Sequence, residues 1–516
     1  MRPTKTLALD DGLTVDTFYL ECLAHGSYLV SHEGSCFIID PRRDVDIYAH
    51  HVAERKLRVR GILESHLHAD FVSGHMELYK RYGATICVGE RAGAKFPHYP
   101  VGDGELLLLS SKYAFVALPT PGHTPGCVTW LLVDRTQDRK PVMAFTGDTL
   151  FVGGCGRPDL VGALDASLTP EVLSKMMFKS LREKIMALPD DCLVFPAHGP
   201  GSPCGKGISG DLSSTIGKEK ETNPALQFED EAKFIEFNVA GLDKAPQYFP
   251  SAVMSNMQGA ASLLDEVENV KVLSLAEFKE AMTHEDAVVL DTRNATPFSK
   301  GHIKGAMNIP LGMRGGVKLE YEDGNFAIWV GTLIAPKKKV LLVAEQGKEQ
   351  EAIQRLGRIG YAGQITGMLK FGMETWVEAG EPVDKFDKVK IESADTIRHL
   401  QATNHVMLDT RTAGEFTCAV RGHVNGAINL PLAELPQSCH ALDRSKKYVV
   451  YCLGGFRSAI AVSILRANGY DAVDILDGYD LGIAAHAGEV TSAQKEFCDK
   501  MAAEAAKQRQ NDTVSI

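Results

Sequence analysis

The chain has 516 residues, 44% hydrophobic and 23% charged, a balance expected of globular protein and too long for a single core. Its formal net charge is -11 and it has no extended Lys/Arg run, which argues against a nucleic-acid or anionic-membrane surface. Eleven cysteines, odd in number and scattered, point to thiols and away from a disulfide scaffold.

In chain order, the opening stretch MRPTKTLALDDGLTVDTFYL lacks the apolar run of a secretory leader, and no later run reaches the length of a membrane span. A cytoplasmic protein without a membrane partner is expected. Up to about Lys220 short β-rich runs (CFIID, RGILESH, ATICVG, VMAFTGD, CLVFPAH) alternate with glycine turns, and several end at His or Asp. The stretch SHLHADFVSGH, Ser65 to His75, sets His66, His68 and Asp70 at H-x-H-x-D spacing, with Phe71 where another histidine is invited. TPGHTPG around His123, TGDTL around Asp148 and PAHGPG around His198 follow. A lone loop histidine is usually structural, and His25, His75 and His98 are given no role on that ground. Four strand ends carrying His or Asp in glycine-rich settings mark a metal site. Alone they leave open whether two ions, one or none are bound.

GSPCGKGISGDLSSTIGKEKETNP then reads as an extended excursion or linker, and EDEAKFIEFNVAGL as a helix. Beyond it lies a repeat. VVLDTRNATPFSKGHIKGAMNIPL starts at Val288 and VMLDTRTAGEFTCAVRGHVNGAINLPL at Val406. A hydrophobic strand (KVLLVAE, KYVVYC), a helix-like run and a Gly-Tyr pair follow each copy, which predicts a parallel α/β sheet in both. The closing TSAQKEFCDKMAAEAAKQRQ reads as a surface helix.

SHLHAD, TPGHTPG, TGD and PAH, in this order, resemble the metallo-β-lactamase superfamily, an αββα sandwich. Many members are binuclear zinc hydrolases, and Phe71 removes one ligand of the second ion because a phenyl ring has no lone pair to donate. The chain is most similar to the mononuclear persulfide dioxygenases. That resemblance implies one Fe(II) per chain on His66, His123 and Asp148, with positions left open for dioxygen and substrate sulfur. It makes His68, Asp70 and His198 groups that orient ligands or transfer protons, and Phe71 an apolar wall. In FVGGCGRPDL, Arg157 resembles a position shaping the site mouth, where it either touches anionic substrate or does not. The glutathione-linked members carry an Asp-Tyr type sequence after the last histidine. Here PAHGPGSPCGK sets Cys204 six residues past His198, either reaching the metal pocket to carry a persulfide or standing as an exposed thiol.

The repeat resembles rhodanese. In its second copy, VVYCLGGFRSA, Cys452 ends a strand ahead of Gly454, Gly455 and Arg457. Backbone N–H groups of such a turn favour thiolate and persulfide anion, and Arg457 supplies a cation for sulfite or thiosulfate. The Cys452-to-Arg457 spacing, C-x4-R, is that of single-domain sulfurtransferases. The first copy reads VLLVAEQGKEQ, with Ala344 or Glu345 at the nucleophile position, and is expected to be silent.

The expected architecture is an α/β multidomain chain. It has a metallo-β-lactamase sandwich over 14–255 including a 200–225 loop, a rhodanese-like domain lacking the cysteine over 270–383, an active rhodanese over 388–488, and a helical tail over 489–516. This order resembles the persulfide dioxygenase–sulfurtransferase fusions of CstB type. The resemblance implies sulfide detoxification: a low-molecular-weight thiol persulfide and dioxygen give sulfite, and Cys452 passes sulfane sulfur to sulfite to form thiosulfate. A homo-oligomer is expected. The rival readings are a zinc thioester hydrolase or lactonase fused to rhodanese domains, and a non-catalytic sulfur-carrier or sensing scaffold.

Overall fold

The computed structural model describes residues 3–162, 165–242, 244–312, 325–418 and 422–484. The chain divides into two compact units, one of residues 1–269 with 354–363, the other of 270–353 with 364–516. The carboxy-terminal tail expected over 489–516 lies outside the described residues. Among the described residues no helix is long and apolar enough to cross a membrane.

The first unit is an αββα sandwich. One sheet runs in chain order: β1 (Lys5–Ala8), β2 (Thr14–Leu20), β3 (His25–His32), β4 (Ser35–Ile39), β5 (Arg58–Leu63), β6 (Thr85–Gly89) and β7 (Tyr99–Val101). Pairing is antiparallel as far as β4 and parallel from β4 to β7. The second sheet has the order β13-β12-β11-β10-β9-β8. Its strands are β8 (Leu106–Leu108), β9 (Tyr113–Pro119), β10 (Val128–Asp134), β11 (Lys140–Gly147), β12 (Leu193–Pro196) and β13 (Ser214–Thr215). Side chains alternate across a strand, so β10 sends Val128, Trp130 and Leu132 into the layer between the sheets and Leu131 and Val133 to the outer layer. Helices Asp46–Glu54 and His75–Tyr82 supply residues to the outer layer on the first sheet, and Pro170–Lys179 and Glu231–Val239 to that on the second. The helix expected in EDEAKFIEFNVAGL is the last of these.

The 201–224 segment corrects one expectation, since it is no linker. Cys204 is fully buried, Ser214–Thr215 forms the edge strand β13, and Ile216–Thr222 is helical with the Thr215 hydroxyl as its cap. Polar composition misled because Asn223 and Glu219 are buried in a network that ties this stretch to the backbone of Phe151, Gly153 and Gly154.

The second unit has two all-parallel five-stranded sheets, one per repeat copy. The first, β14-β18-β17-β15-β16, uses β14 (Val272–Leu273), β15 (Ala287–Asp291), β16 (Met307–Asn308), β17 (Lys339–Val343) and β18 (Ile365–Leu369). The second, β19-β23-β22-β20-β21, uses β19 (Lys388–Val389), β20 (His405–Asp409), β21 (Ile428–Asn429), β22 (Lys447–Tyr451) and β23 (Asp471–Ile475). Registers coincide: Asp291 pairs with Val343 as Asp409 pairs with Tyr451. The residue after Val343, Ala344, therefore stands where Cys452 stands.

Within the first unit a buried ion network underlies the loop that carries Asp70 and Phe71. Asp44 accepts from the guanidinium of Arg42 and, at 2.9 and 3.2 Å, from that of Arg358, while the Arg358 carbonyl accepts the Val72 N–H at 2.8 Å. Burial would raise the Asp44 carboxyl, but Arg358 and Arg42 hold it well below the usual carboxylate range. Its stabilisation is therefore present above the unfolded carboxylate value and is lost as pH falls through the depressed one. Asp44→Ala removes the buried carboxylate that two buried guanidinium groups share and should lower stability by about 3–5 kcal/mol in denaturant unfolding; a loss below about 1 kcal/mol would show the network to be dispensable.

Candidate functional site

Four strand ends of the first unit deliver one cluster. β5 leads into Glu64, His66 and His68, β9 into His123, β11 into Asp148, and β12 into His198. All are buried, as are Asp70 and Cys204. His123 and His198 direct Nδ1 at the carbonyls of Arg157 (2.8 Å) and Ala24 (3.1 Å), and His66 Nδ1 meets the Ser65 hydroxyl at 2.9 Å. A carbonyl can only accept, so Nδ1 of His123 and of His198 carries a proton, and in the neutral His123 ring Nε2 is the lone-pair nitrogen.

Those Nε2 atoms, with that of His66 and both oxygens of Asp148, have no hydrogen-bond partner among the described residues. His123 Nε2 and His66 Nε2 lie 3.4 and 3.8 Å from Asp148 Oδ2, and His198 Nε2 lies 3.6 Å from Asp148 Oδ1 and 3.5 Å from Asp70 Oδ2. These spacings are long for hydrogen bonds. Three of them match donor atoms about 3.0–3.6 Å apart around an ion with bonds of about 2.0–2.2 Å, and the 3.8 Å spacing of His66 lies just beyond. His66, His123 and Asp148 form one set with donor atoms within 4.8 Å of one another; Asp148, His198 and Cys204 form another, and His68, Asp70 and His198 a third. Unpartnered buried imidazole and carboxylate atoms in this arrangement suit a metal cation.

Burial lowers the basicity of His66 and His123 and raises the Asp148 carboxyl. Burial alone would do the same to His198, but the Asp70 and Asp148 charges push it well above the ordinary histidine range. Asp70, which burial would raise, is brought down to about 2 chiefly by His198. For Cys204, burial and then the Asp70 charge push the thiol up to about 12.

Phe71 fills the place where another imidazole was invited. Its ring packs at a tilt against His25 and His68, with centroids 4.0 and 4.3 Å away. His68 Nε2 lies 3.3 Å from Asp40 Oδ1 and 3.7 Å from Glu64 Oε2, and His75 Nδ1 meets Glu64 Oε1 at 2.9 Å. His25 and His75, given no role from sequence, thus belong to the packing of this loop. No spacing signal announced them, because Phe71 and Glu64 bring them in through the fold.

Cys204 is no exposed thiol; it is 0% exposed. Arg157 holds its loop: its N–H donates to the Cys204 carbonyl at 2.9 Å and its guanidinium to Pro203 O and to the Asp159 carboxylate. Since the Arg157 carbonyl also accepts from His123, one residue braces both the histidine and the cysteine.

In the second unit, Cys452 follows β22, and the Gly455 N–H donates to its sulfur at 3.2 Å. Gly455 has φ +86°, a left-handed value that suits glycine, and helix Phe456–Ala467 starts from it. The Tyr479 N–H donates to the Cys452 carbonyl at 2.7 Å, and a Cβ on Gly478 would stand 2.7 Å from Leu453 O. The carboxy-terminal GYDLG stretch therefore packs directly under the loop. Arg457 makes two 2.7 Å bonds to Glu415, whose carboxyl, despite burial, is lowered to about 2 by that guanidinium. Glu415 was missed from sequence. Its signal is the capping box Thr412-x-x-Glu415, which the first copy replaces with Pro297.

A metallo-beta-lactamase superfamily model matches residues 21–198, and a rhodanese-like domain model matches 274–379 and 393–480. The human protein "Persulfide dioxygenase ETHE1, mitochondrial" is 32% identical over 207 residues, 40% of this chain and 72% of the relative. The Bos taurus counterpart is 31% identical over 226 residues, 43% and 78%. The chain belongs to the persulfide dioxygenase family. A solved structure of a metallo-beta-lactamase from Staphylococcus aureus subsp. aureus COL aligns with TM-score 0.59 and 29% identity, covering 69% of this chain and 98% of that one. This persulfide dioxygenase family member is thus an enzyme with a metallo-β-lactamase fold, followed by rhodanese-like domains with parallel sheets.

The metal-site geometry makes Gly156 a sensitive point. A Cβ there would stand 2.2 Å from the Asp148 carbonyl oxygen and 3.0 Å from the His123 ring. Gly156→Ala should weaken metal retention by at least about tenfold, read as metal per chain after gel filtration, with circular dichroism unchanged. Full metal content in the variant would contradict the placement of His123 and Asp148 as ligands.

Proposed function

We propose that the chain is an Fe(II) persulfide dioxygenase coupled to a sulfurtransferase, with one iron per chain held by His66, His123 and Asp148. The observation that carries this reading is the convergence of the unpartnered Nε2 atoms of His66 and His123 on Asp148 at 3.4–3.8 Å, in a chain of the persulfide dioxygenase family. Two imidazoles and one carboxylate leave coordination positions free, and bound there Fe(II) would supply activation of dioxygen toward a persulfide sulfur.

The chain's own residues do the rest. Ser65 and the Arg157 carbonyl hold the rings of His66 and His123 in orientation. Phe71 keeps water from one wall and denies Asp70 and His198 the further imidazole that would retain a second iron. His198, with Asp70 at 3.5 Å, holds or returns a proton beside the cluster. A low-molecular-weight thiol persulfide, dioxygen and one water give the parent thiol and sulfite. Cys204 takes part in the hand-over of sulfur from this pocket.

At the second site the Cys452 thiolate attacks the outer sulfur of another persulfide. The S–S bond breaks and the parent thiol leaves with the proton. Sulfite then attacks the outer sulfur on Cys452, thiosulfate leaves, and the thiolate is restored. The Gly455 N–H stabilises charge on the Cys452 sulfur, the Gly454–Gly455 turn frames the bound sulfur, and Arg457, held by Glu415, faces the anionic acceptor. Consuming sulfite as it forms suits a role in sulfide detoxification.

Cys452→Ser should keep oxygen uptake and release sulfite in place of thiosulfate, whereas His123→Ala should lose iron and oxygen uptake and keep sulfur transfer from thiosulfate. Sulfite, thiosulfate and oxygen measured together decide it; thiosulfate at the wild-type rate from Cys452→Ser, or stoichiometric zinc with no oxygen uptake in the native chain, would sink the reading. Phe71→His should raise metal content and lower oxygen uptake, because the new imidazole joins Asp70 and His198; metal and activity both unchanged would show that Phe71 does not limit the site.

A further inference from the structure

Helix Phe456–Ala467 starts from Gly455, whose N–H meets the Cys452 sulfur, and its last two turns lie against the copy that lacks a cysteine. We propose that the silent copy is a positioning device for sulfur transfer: it grips this helix through Ser463 and Arg466 and so fixes the Gly455 N–H on the Cys452 sulfur. The inference rests on the reading of Cys452 as the sulfur carrier.

Three observations carry it. Every residue of the helix from Ser458 to Leu465 is buried, so the helix is covered all round and not by its own sheet alone. Ser463 makes the first hold: its hydroxyl donates to the Ile460 carbonyl at 2.7 Å and accepts the Asn308 N–H at 3.0 Å. Asn308 stands on β16, the edge strand of the first copy's sheet, where an outward N–H has no ladder partner and must be satisfied from elsewhere. Arg466 makes the second hold. Its guanidinium donates to the two Asp384 oxygens at 3.0 and 3.2 Å and lies over the Phe386 ring. That segment is stitched to the silent copy, since Asp384 and His302 exchange backbone bonds of 2.9 Å and the Phe386 N–H donates to Ser299 O at 3.0 Å.

The two copies differ at this point. His302 and His423 direct Nδ1 at the carbonyls of Phe298 and Phe416, both at 2.9 Å, so the local frame is the same. Yet His302 and Asn308 are buried, whereas His423 is exposed and Asn429 half-buried. The silent copy's frame residues are spent as a dock. A helix of 12 residues is about 18 Å long and moves as a rod. Released at Ser463 and Arg466, it shifts on its sheet, and the 3.2 Å N–H···S bond loses its support of the thiolate.

The test uses the full-length protein. In Ser463→Ala/Arg466→Gln, with circular dichroism unchanged, kcat for sulfur transfer from thiosulfate to cyanide should fall at least about threefold. KM for thiosulfate should change less than about twofold, because Arg457 and Glu415 are untouched. The pH midpoint of Cys452 alkylation by iodoacetamide, followed at that residue by mass spectrometry, should rise by at least about 0.3. Arg466→Gln alone should show both changes at smaller amplitude, and Arg466→Lys, which keeps a donor for Asp384, should recover most of both. Wild-type kcat and midpoint in the double variant would overturn the proposal. So would a fall in kcat with the midpoint unmoved, which would make the contact structural alone. Transfer by the native chain that vanishes in Cys452→Ser judges the sulfurtransferase reading separately.

Discussion

The structure of the first unit turns on one electrostatic constraint: buried imidazoles and carboxylates face one another with atoms that no group among the described residues satisfies. Each unsatisfied buried polar group costs about 1–3 kcal/mol, and a domain's net stability is only about 5–15 kcal/mol. His66, His68, Asp70, His123, Asp148 and His198 all present such atoms. A cation offsets this cost at one stroke, and the surrounding design serves to hold the donors ready for it. Nδ1 atoms are tied to carbonyls or a hydroxyl, β5, β9, β11 and β12 end around one centre, and Gly156 lets the backbone pass close against His123 and Asp148.

The two repeat copies show the same economy in reverse. Both keep the parallel sheet and an Asp-Arg pair at the end of the strand before the first loop, Asp291 with Arg293 after β15 and Asp409 with Arg411 after β20. Only the second has a cysteine at the strand end. Where it has Cys452, Arg457 and Glu415, the first has Ala344 at the strand end and Pro297 in place of the carboxylate. The Arg457 guanidinium is fixed by Glu415, at 2.7 Å on both nitrogens. With Ala344 and Pro297 at these two places, the first copy still keeps its five-stranded parallel sheet.

What could be read from the sequence follows from where information sits. His123, Asp148 and His198 were legible because each follows a β-run and stands beside glycine, and His66 because it opens the H-x-H-x-D spacing after one. Cys452 was legible because its loop and repeat frame are local in sequence. Asp40, Glu64, His25 and the Asp44–Arg358 pair were not, since their roles arise only when distant segments meet under burial. The choice between excursion and linker for the 201–224 stretch stayed open in the sequence because its polar side chains are satisfied internally, by Glu219 and Asn223, and composition cannot tell an internal network from a solvated loop. Cys204 lay between: its place near His198 was visible, its complete burial was not.

The central claim is that His66, His123 and Asp148 bind iron with open positions for a persulfide. Iron K-edge X-ray absorption on anaerobic protein purified without added metal tests it most directly. The account predicts an iron edge with a first shell of nitrogen and oxygen donors, to which a sulfur neighbour is added when a low-molecular-weight thiol persulfide is supplied. Zinc in place of iron, or an iron shell that gains no sulfur on adding the persulfide, would contradict it.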